Sequence, residues 1–430
     1  MKYFLIVLLS FHLSAVAQEL LLLEEAIELA LANNLGIQAS EMERSAVEMQ
    51  VYKSNAGFGP QIDLNANLNS TVNEVKQNFI DGRVVDRFGR SYAPNINVGL
   101  RLPIYDGGQM QARFERLGQL SEVSNIETQI EAQNLVSQLI RLYYNVMQLN
   151  ARVGFLNTVI KYYEDRLAIT EERWQVGKGS KIDFLQSKTD LNAQLAEKAR
   201  TTNEFRNAVV NLNALLNRPL DTEFRVQDEA RFQDDYDLAE LIERSKEANP
   251  ALMRIQQMNL LNYTAIKEWE AAKKPQVSLS AALGYYYTNT NAGFLLSNQN
   301  AALNAGLNAR WSIFDGGHRR NQLAIARMDK NALDKRAQDL STLINADLTA
   351  AFNQYQADKE MLQFEQDNRL LAEENLSISL EKFRLGASTI LELNEAQRSY
   401  DNALNRLVNA QHNIRVSELL LLELSGTLMR

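Results

Sequence analysis

The chain has 430 residues, with 53 acidic and 45 basic side chains, a formal charge of −8, no cysteine and three histidines. The lack of cysteine excludes a disulfide framework and a thiolate metal site, and an acidic chain without a basic block is a poor candidate for nucleic-acid binding. We expect no metal, no cofactor and no enzymatic chemistry, since the histidines are scattered and no serine lies in a nucleophile-elbow context. Only 6 prolines and 19 glycines interrupt the chain, which predicts long elements.

Residues 1–17 have the pattern of a secretory signal peptide, with Lys2 before an apolar run and Ala15-Val16-Ala17 as a cleavage site. We therefore expect a mature chain that begins at Gln18, and not a lipoprotein, because no cysteine follows the cut. The alternative is a buried N-terminal helix. No later apolar run approaches the roughly 18–20 residues of a membrane helix, so only strands closed into a barrel could cross a membrane.

The sequence contains an internal duplication. Asp106-Gly107-Gly108 returns as Asp315-Gly316-Gly317, and Gly177 returns as Gly386, both at an offset of 209 residues. Upstream, Asn34 and Pro60 return as Asn249 and Pro275 at an offset of 215. These matches predict a first structural repeat over 18–219, a linker or equatorial segment over 220–236, and a second repeat over 237–430.

Each repeat contains two segments in which apolar and polar residues alternate, which predicts strands with one apolar and one polar face. The predicted strands cover about 61–73, 95–105, 276–287 and 302–314, with longer hairpin connections over 74–94 and 288–302. Asn, Ser and Gly dominate the polar faces, as in a water-filled lumen, and the aromatic residues Tyr285, Tyr287 and Trp311 end the apolar faces. These features favour membrane strands over a soluble sheet. Because four strands cannot close a barrel, several chains would have to share one.

The rest of each repeat predicts long helices. From Leu139 to Leu167 apolar residues recur at alternating steps of three and four, the period of a left-handed coiled coil, and a similar seam runs from Leu393 to Leu424. A helix from Gly108 to Val176 would be about 100 Å long. The Asp-Gly-Gly motifs lie where strand becomes helix, where Asp106 and Asp315 could cap the helix and Gly107, Gly108, Gly316 and Gly317 permit the turn. Gly177 and Gly386 end the helices, which predicts two helical hairpins.

Together these residues resemble the TolC-like outer-membrane efflux protein family, also called outer membrane factors, over nearly the whole mature chain. The resemblance lies in the duplication, the four strands, the Asp-Gly-Gly turns and the two hairpin tips near 177 and 386. It implies a mainly helical mixed fold in which long coiled-coil hairpins form an α-barrel and four strands per chain contribute to a shared 12-stranded transmembrane β-barrel. It also implies a homotrimer in the outer membrane of a Gram-negative bacterium that extends into the periplasm.

The resemblance further implies a passive export duct of a tripartite efflux or type I secretion system, with a periplasmic adaptor and an inner-membrane transporter as partners. The alternative is a non-conducting outer-membrane coiled-coil surface or structural protein. The cargo is not readable from the sequence.

Site residues follow from the same resemblance. Adaptors dock at the hairpin tips, which correspond to Gly177, Lys178, Gly386 and Ala387. An acidic ring at the periplasmic entrance corresponds to Glu392 and Glu395, which share a helix face; two solvated helix charges are the alternative. The gate candidates are Asp183, Phe383 and Ser388. Family members with a polar latch carry tyrosine and arginine where this chain has Phe383 and Ser388, so we expect closure to depend more on packing.

Overall fold

The structure, a computed structural model, describes residues 19–227, 235–292 and 295–429. The predicted signal peptide over 1–17 and residues 228–234 of the predicted linker lie outside this part of the chain. Eight helices and six strands occur in the described residues. The fold is mainly helical with long helical hairpins and four antiparallel strands, as predicted. Among the described helices, none is both long enough and apolar enough to span a membrane.

The helices are α1 (Leu23–Asn33), α2 (Leu35–Met49), α3 (Gln109–Gln175), α4 (Lys181–Leu215), α5 (Leu238–Ala248), α6 (Pro250–Ala271), α7 (His318–Leu385) and α8 (Ile390–Ser425). The strands are β1 (Glu19–Leu21), β2 (Gln61–Asn78), β3 (Val84–Tyr105), β4 (Phe224–Val226), β5 (Gln276–Thr290) and β6 (Ser297–Arg310). The chain divides into two compact units. One comprises Met1–Glu41, Thr128–Leu252 and Leu340–Arg430, and the other comprises Met42–Glu127 and Met253–Asp339.

The second unit holds a four-stranded antiparallel sheet in the order β2-β3-β5-β6. The strands differ from their predicted bounds. β2 and β3 pair as far as Asn78 and Val84, beyond their predicted ends, because backbone hydrogen bonds do not require apolar and polar side chains to alternate. The connections between strands are therefore shorter than predicted. β6 ends at Arg310 instead of 314, because its partner β5 begins at Gln276, opposite Arg310.

The first unit is built from helical seams and a short parallel pair of β1 and β4. The predicted seam of α8 is buried at nine positions and partly buried at a tenth, Leu424. The nine buried positions are Leu393, Ala396, Tyr400, Ala403, Leu407, Ala410, Ile414, Ser417 and Leu421. Along the predicted seam of α3, Leu142, Leu149, Val153 and Leu167 are partly buried, and the buried positions are Leu139, Val146, Leu156, Ile160 and Tyr163. The buried stripe then continues through Arg166 and Thr170. Burial of these stripes supplies the apolar contacts that hold the hairpins together.

The repeats also share a local motif in the first unit. Asn34 accepts hydrogen bonds from the amides of Gly36 and Ile37, and its Nδ2 donates to the carbonyl of Leu215 at 3.3 Å. Asn249 accepts from the amides of Ala251 and Leu252, and its Nδ2 donates to Leu424 at 2.9 Å. In each repeat one asparagine therefore starts a helix and bonds the end of another.

Candidate functional site

The four-stranded sheet has two chemically opposite faces. Strand register places the polar residues of neighbouring strands on one side, as where Asn65 pairs with Asn97 and Ser280 pairs with Gly306. The other side carries apolar side chains that are largely exposed: Ile62, Leu64, Leu68, Val72, Leu283, Leu303 and Leu307, each at least 60% exposed. A soluble protein rarely exposes such a contiguous apolar patch, so this face requires an apolar neighbour.

Both outer strands of this sheet have an unpaired edge in the single chain. β2 bonds only β3, and β6 bonds only β5, among the described strands. Open edges present rows of unpaired N–H and C=O groups, which are a template for strand addition. The sheet therefore presents one apolar face and two edges that can each accept a further strand.

The aromatic residues predicted at the membrane interface occupy both ends of this sheet. Tyr285 lies on the apolar face and is 47% exposed, and Tyr287 shares that face of β5. Trp311 is not on a strand, because β6 ends one residue before it; its indole nitrogen donates to the carbonyl of Lys273 at 3.0 Å. Tyr and Trp with an apolar body and a bonded polar tip suit a membrane interface.

The two Asp-Gly-Gly motifs form the turns from strand to helix, as predicted. Asp106 accepts from the amides of Gly108 at 3.1 Å and Met110 at 2.6 Å, and so caps α3. Asp315 accepts from the amide of Arg319 at 3.1 Å and from its guanidinium at 2.7 Å, and so caps α7. All four glycines of the motifs have φ between 68° and 98°, the left-handed region that favours glycine.

The hairpin tips lie at Gly177 and Gly386, which have φ of 75° and 79°. Lys178 and Ala387 beside them are exposed, as are the apolar side chains Val176, Ile182, Leu385 and Leu391. The two tips contact each other through Arg173, which donates to the carbonyl of Phe383 at 2.6 Å and lies 4.6 Å from the centroid of its ring. The spacing of apolar residues and glycines in the sequence gives this arginine no role.

Glu392 and Glu395 are both exposed, in the first turns of α8. Glu392 also has a local structural role, because its carboxylate accepts from the amide of Thr389 at 3.4 Å while the Thr389 hydroxyl accepts from the amide of Glu392 at 3.3 Å. This reciprocal capping box stabilises the start of α8.

The three gate candidates are not joined to each other by side-chain bonds in the described part of the chain. Phe383 is buried in a cluster with Leu380 and Leu393. The hydroxyl of Ser388 is buried without a hydrogen-bond partner in the single chain, and Asp183 is half-buried. Their assignment as a gate stays a prediction.

A buried polar cluster lies between α3, α4 and α8. Arg166 is 1% exposed; its guanidinium donates to Gln397 at 2.7 Å and also bonds Asn394 and Asp190. Nearby, Tyr163 donates to Asp401 at 3.0 Å. All of these residues except Gln397 border a cavity of about 500 Å³. Tyr163, Arg166 and Thr170 continue the seam of α3 at helical spacing, and this spacing was the one sequence signal for the cluster. Apolar periodicity does not mark it, because arginine is not apolar.

Burial raises the pKa of Asp401 to about 6, against the lowering effects of the Tyr163 hydrogen bond and the nearby Arg166 charge. The same burial, with the charge of Asp401 beside it, raises the pKa of the Tyr163 phenol. The cluster therefore connects the two hairpins through buried polar contacts. Its carboxyl group, Asp401, has a pKa of about 6.

Comparison with known proteins identifies the class. The model of the family described as outer membrane efflux protein matches this chain twice, over residues 26–218 and 241–427. The chain therefore belongs to the outer membrane efflux protein family, and the double match confirms the duplication. As a TolC-like outer-membrane channel protein it is not an enzyme.

Among curated relatives, the outer membrane protein TolC of Escherichia coli strain K12 is 20% identical over 416 residues, which cover 94% of this chain and 82% of the relative. TolC of Vibrio cholerae is 21% identical over 421 residues, which cover 94% and 91%. The outer-membrane channel OprN has a TM-score of 0.77 at 18% identity, with 94% and 89% covered. VceC from Vibrio cholerae has a TM-score of 0.76 at 16% identity, with 94% and 96% covered. These likenesses confirm the fold.

Proposed function

We propose that three copies of this chain form an outer-membrane channel, in which twelve strands close one β-barrel and the helical hairpins form a periplasmic tunnel. The observation that carries the proposal is the four-stranded sheet with an exposed apolar face, a polar opposite face and two open edges. In lipid every backbone polar group must be bonded internally, so such a sheet is stable only when its edges are joined. Three copies also match the smallest closed arrangement that leaves an aqueous lumen lined by the Asn-rich face.

In this proposal the channel is the passive duct of a tripartite efflux or type I secretion system. An adaptor would dock at Gly177, Lys178, Gly386 and Ala387, where left-handed glycines and exposed apolar side chains present a ready surface. An inner-membrane transporter would supply the energy. Membership of the outer membrane efflux protein family supports efflux as the role of the duct.

Edge-to-edge cysteine crosslinking tests the assembly, because the chain has no cysteine of its own. One cysteine on β2, at Asn65 or its polar-face neighbours in turn, is combined with Asn304→Cys on β6. We expect oxidised trimers on denaturing gels for one register. The control combines Asn304→Cys with Ala282→Cys, which lie opposite each other on β6 and β5 and crosslink within one chain. Monomers in every register would contradict the assembly.

Planar-bilayer recording tests conduction. Purified trimers should form channels, and trimers that insert without conducting would favour a non-conducting coiled-coil surface protein instead.

The acidic ring has its own test. Glu392→Gln with Glu395→Gln should lower the preference for cations, because six carboxylates in a narrow bore attract them. Glu240→Gln with Glu243→Gln on α5 removes the same number of exposed charges away from the hairpin tips and serves as the control. Unchanged ion selectivity in the Glu392/Glu395 variant would contradict the ring.

A further inference from the structure

The polar face of the sheet contains a cavity of about 480 Å³ at its helix-proximal end. Its walls come from the ends of β3, β5 and β6, the start of α3 and the segment before β2, all within the second unit. None of the gate or tip residues lines this cavity, and of the turn residues only Asp106 does.

Two arginines give this cavity an excess of positive charge. Arg101 pairs with Ser280 in the sheet and Arg310 pairs with Gln276, so both side chains rise from the polar face. Both are exposed and line the cavity. In the described part of the chain neither side chain has a hydrogen bond or an ion pair, whereas most arginines of the helices do.

The other charged groups of the cavity already have partners. The Asp106 carboxylate bonds the first amides of α3, and Arg113 donates to Glu268 at 2.8 Å. Asp63 lies on the adjacent register row, opposite Gly99, and forms no ion pair with Arg101. The unneutralised donors that face the cavity are therefore the two guanidinium groups, which suit carboxylate, sulfonate or phosphate oxygens.

The same cavity offers an apolar wall. Phe58, Pro103, Tyr105 and Met110 line it together with the arginines. A ligand that satisfies both parts needs an anionic group and an aromatic or aliphatic body, since a small inorganic ion would leave the apolar wall in contact with water.

We propose that this cavity is a binding site for amphipathic organic anions that pass through the channel. The proposal rests on the proposed function, because it names a substrate class for that duct. Three copies around one lumen would present six guanidinium groups at the base of the strands, and the anion would rest there before it leaves through the strand region.

Channel block in planar bilayers tests the site, with 2-naphthalenesulfonate as the probe. We expect this anion to reduce the current reversibly. The neutral 2-naphthalenemethanol, which has the same aromatic body, should block at least about tenfold less well. Arg101→Gln with Arg310→Gln should weaken block by the sulfonate at least about tenfold. Arg101→Lys with Arg310→Lys should retain part of it, because lysine keeps the charge and loses the bidentate geometry.

Arg83→Gln, in the β2–β3 turn at the far end of the sheet, is the matched control. The sulfonate should block this variant as well as it blocks the unmodified protein. Equal block by the anion and its neutral analogue in the unmodified protein overturns the site, even if the glutamine variant does not assemble. If the sulfonate blocks the variant with Arg101→Gln and Arg310→Gln as well as the unmodified protein, that result also overturns the site. Absence of conductance in the unmodified protein is a different result, because that contradicts the channel itself.

Discussion

The two Asp-Gly-Gly turns have the same sequence and backbone but different surroundings. Gly107 is buried, and a Cβ atom there would lie 2.5 Å from the carbonyl oxygen of Ala271 and 2.7 Å from Cβ of Lys274. Gly316 is exposed, and a Cβ atom there would have no neighbour within 4 Å. Both need a left-handed backbone, but only at Gly107 does the backbone at the end of α6 fill the space that a Cβ atom would take. A duplicated motif thus keeps its conformation while its neighbours set how much change it tolerates.

The hairpin tips show the same divergence. Ser180 and Thr389 lie at the repeat offset of 209, and both cap the following helix. Only Thr389 takes part in a capping box, because Glu392 reaches back to its amide, whereas the equivalent Asp183 is one methylene shorter.

The buried polar cluster is not repeated at the equivalent positions of the duplication. Tyr163 and Arg166 of the first repeat bond Asp401, Gln397 and Asn394 of the second. At the offset of 209, the equivalents of Tyr163, Arg166 and Asp401 are Ala372, Asn375 and Asn192, which cannot form the same network. The duplication therefore became asymmetric where the hairpins meet.

The largest expected difference between the repeats is at the turns. Gly107→Ala should destabilise the protein by about 3 kcal/mol or more, because strain at positive φ adds to a clash with backbone. Gly316→Ala, with strain alone, should cost about 1 kcal/mol. Thermal unfolding followed by circular dichroism in detergent measures both. Equal losses would show that the close approach at Ala271 has no energetic consequence.

The next effect is the dependence of protein stability on pH that Asp401 causes. The raised pKa means that the folded state holds the proton more tightly, so its destabilising contribution appears as pH rises from about 4 to about 6 and is complete above that. Asp401→Asn should therefore stabilise the protein at pH 7.5 by about 1–3 kcal/mol, and the gain should shrink at pH 4.5.

The control for this prediction is Asp165→Asn, an exposed carboxylate of α3. Unfolding midpoints of both variants and the unmodified protein are compared at the two pH values. A gain from Asp401→Asn that does not change with pH would contradict the assigned burial effect.

The smallest effect is at the caps. Thr389→Ala with Glu392→Ala should cost about 1–2 kcal/mol, because together they remove both hydrogen bonds of the capping box, and Ser180→Ala should cost about 0.5–1 kcal/mol, because it removes one bond. Hydrogen exchange of the first turns of α4 and α8 resolves the difference locally. Faster exchange in α4 than in α8 after the respective substitutions would reverse the ranking.

Much of the architecture was predictable from local patterns. Offsets of 209 and 215 residues identified the duplication, alternation located the strands, and the three-four step located the long helices. Strand ends were less accurate, because pairing between backbones continues past Val72 where side chains no longer alternate, and stops at Arg310 for lack of a partner. Asp106 and Asp315 were predictable as caps because the motif itself contains the capping residue and the turn.

The tertiary structure decided which polar side chains meet, and sequence periodicity does not contain this information. Arg166 lies in a buried seam only because Asp190, Asn394 and Gln397 come together from other helices to bond it, and these residues are distant in sequence. Likewise, Arg101 and Arg310 become one site only when the sheet places two strands of different repeats on either side of a common cavity. The sequence alone determined the elements and their order, since those depend on local propensity and spacing. The tertiary structure determined which polar side chains meet, because that depends on register and packing between distant segments.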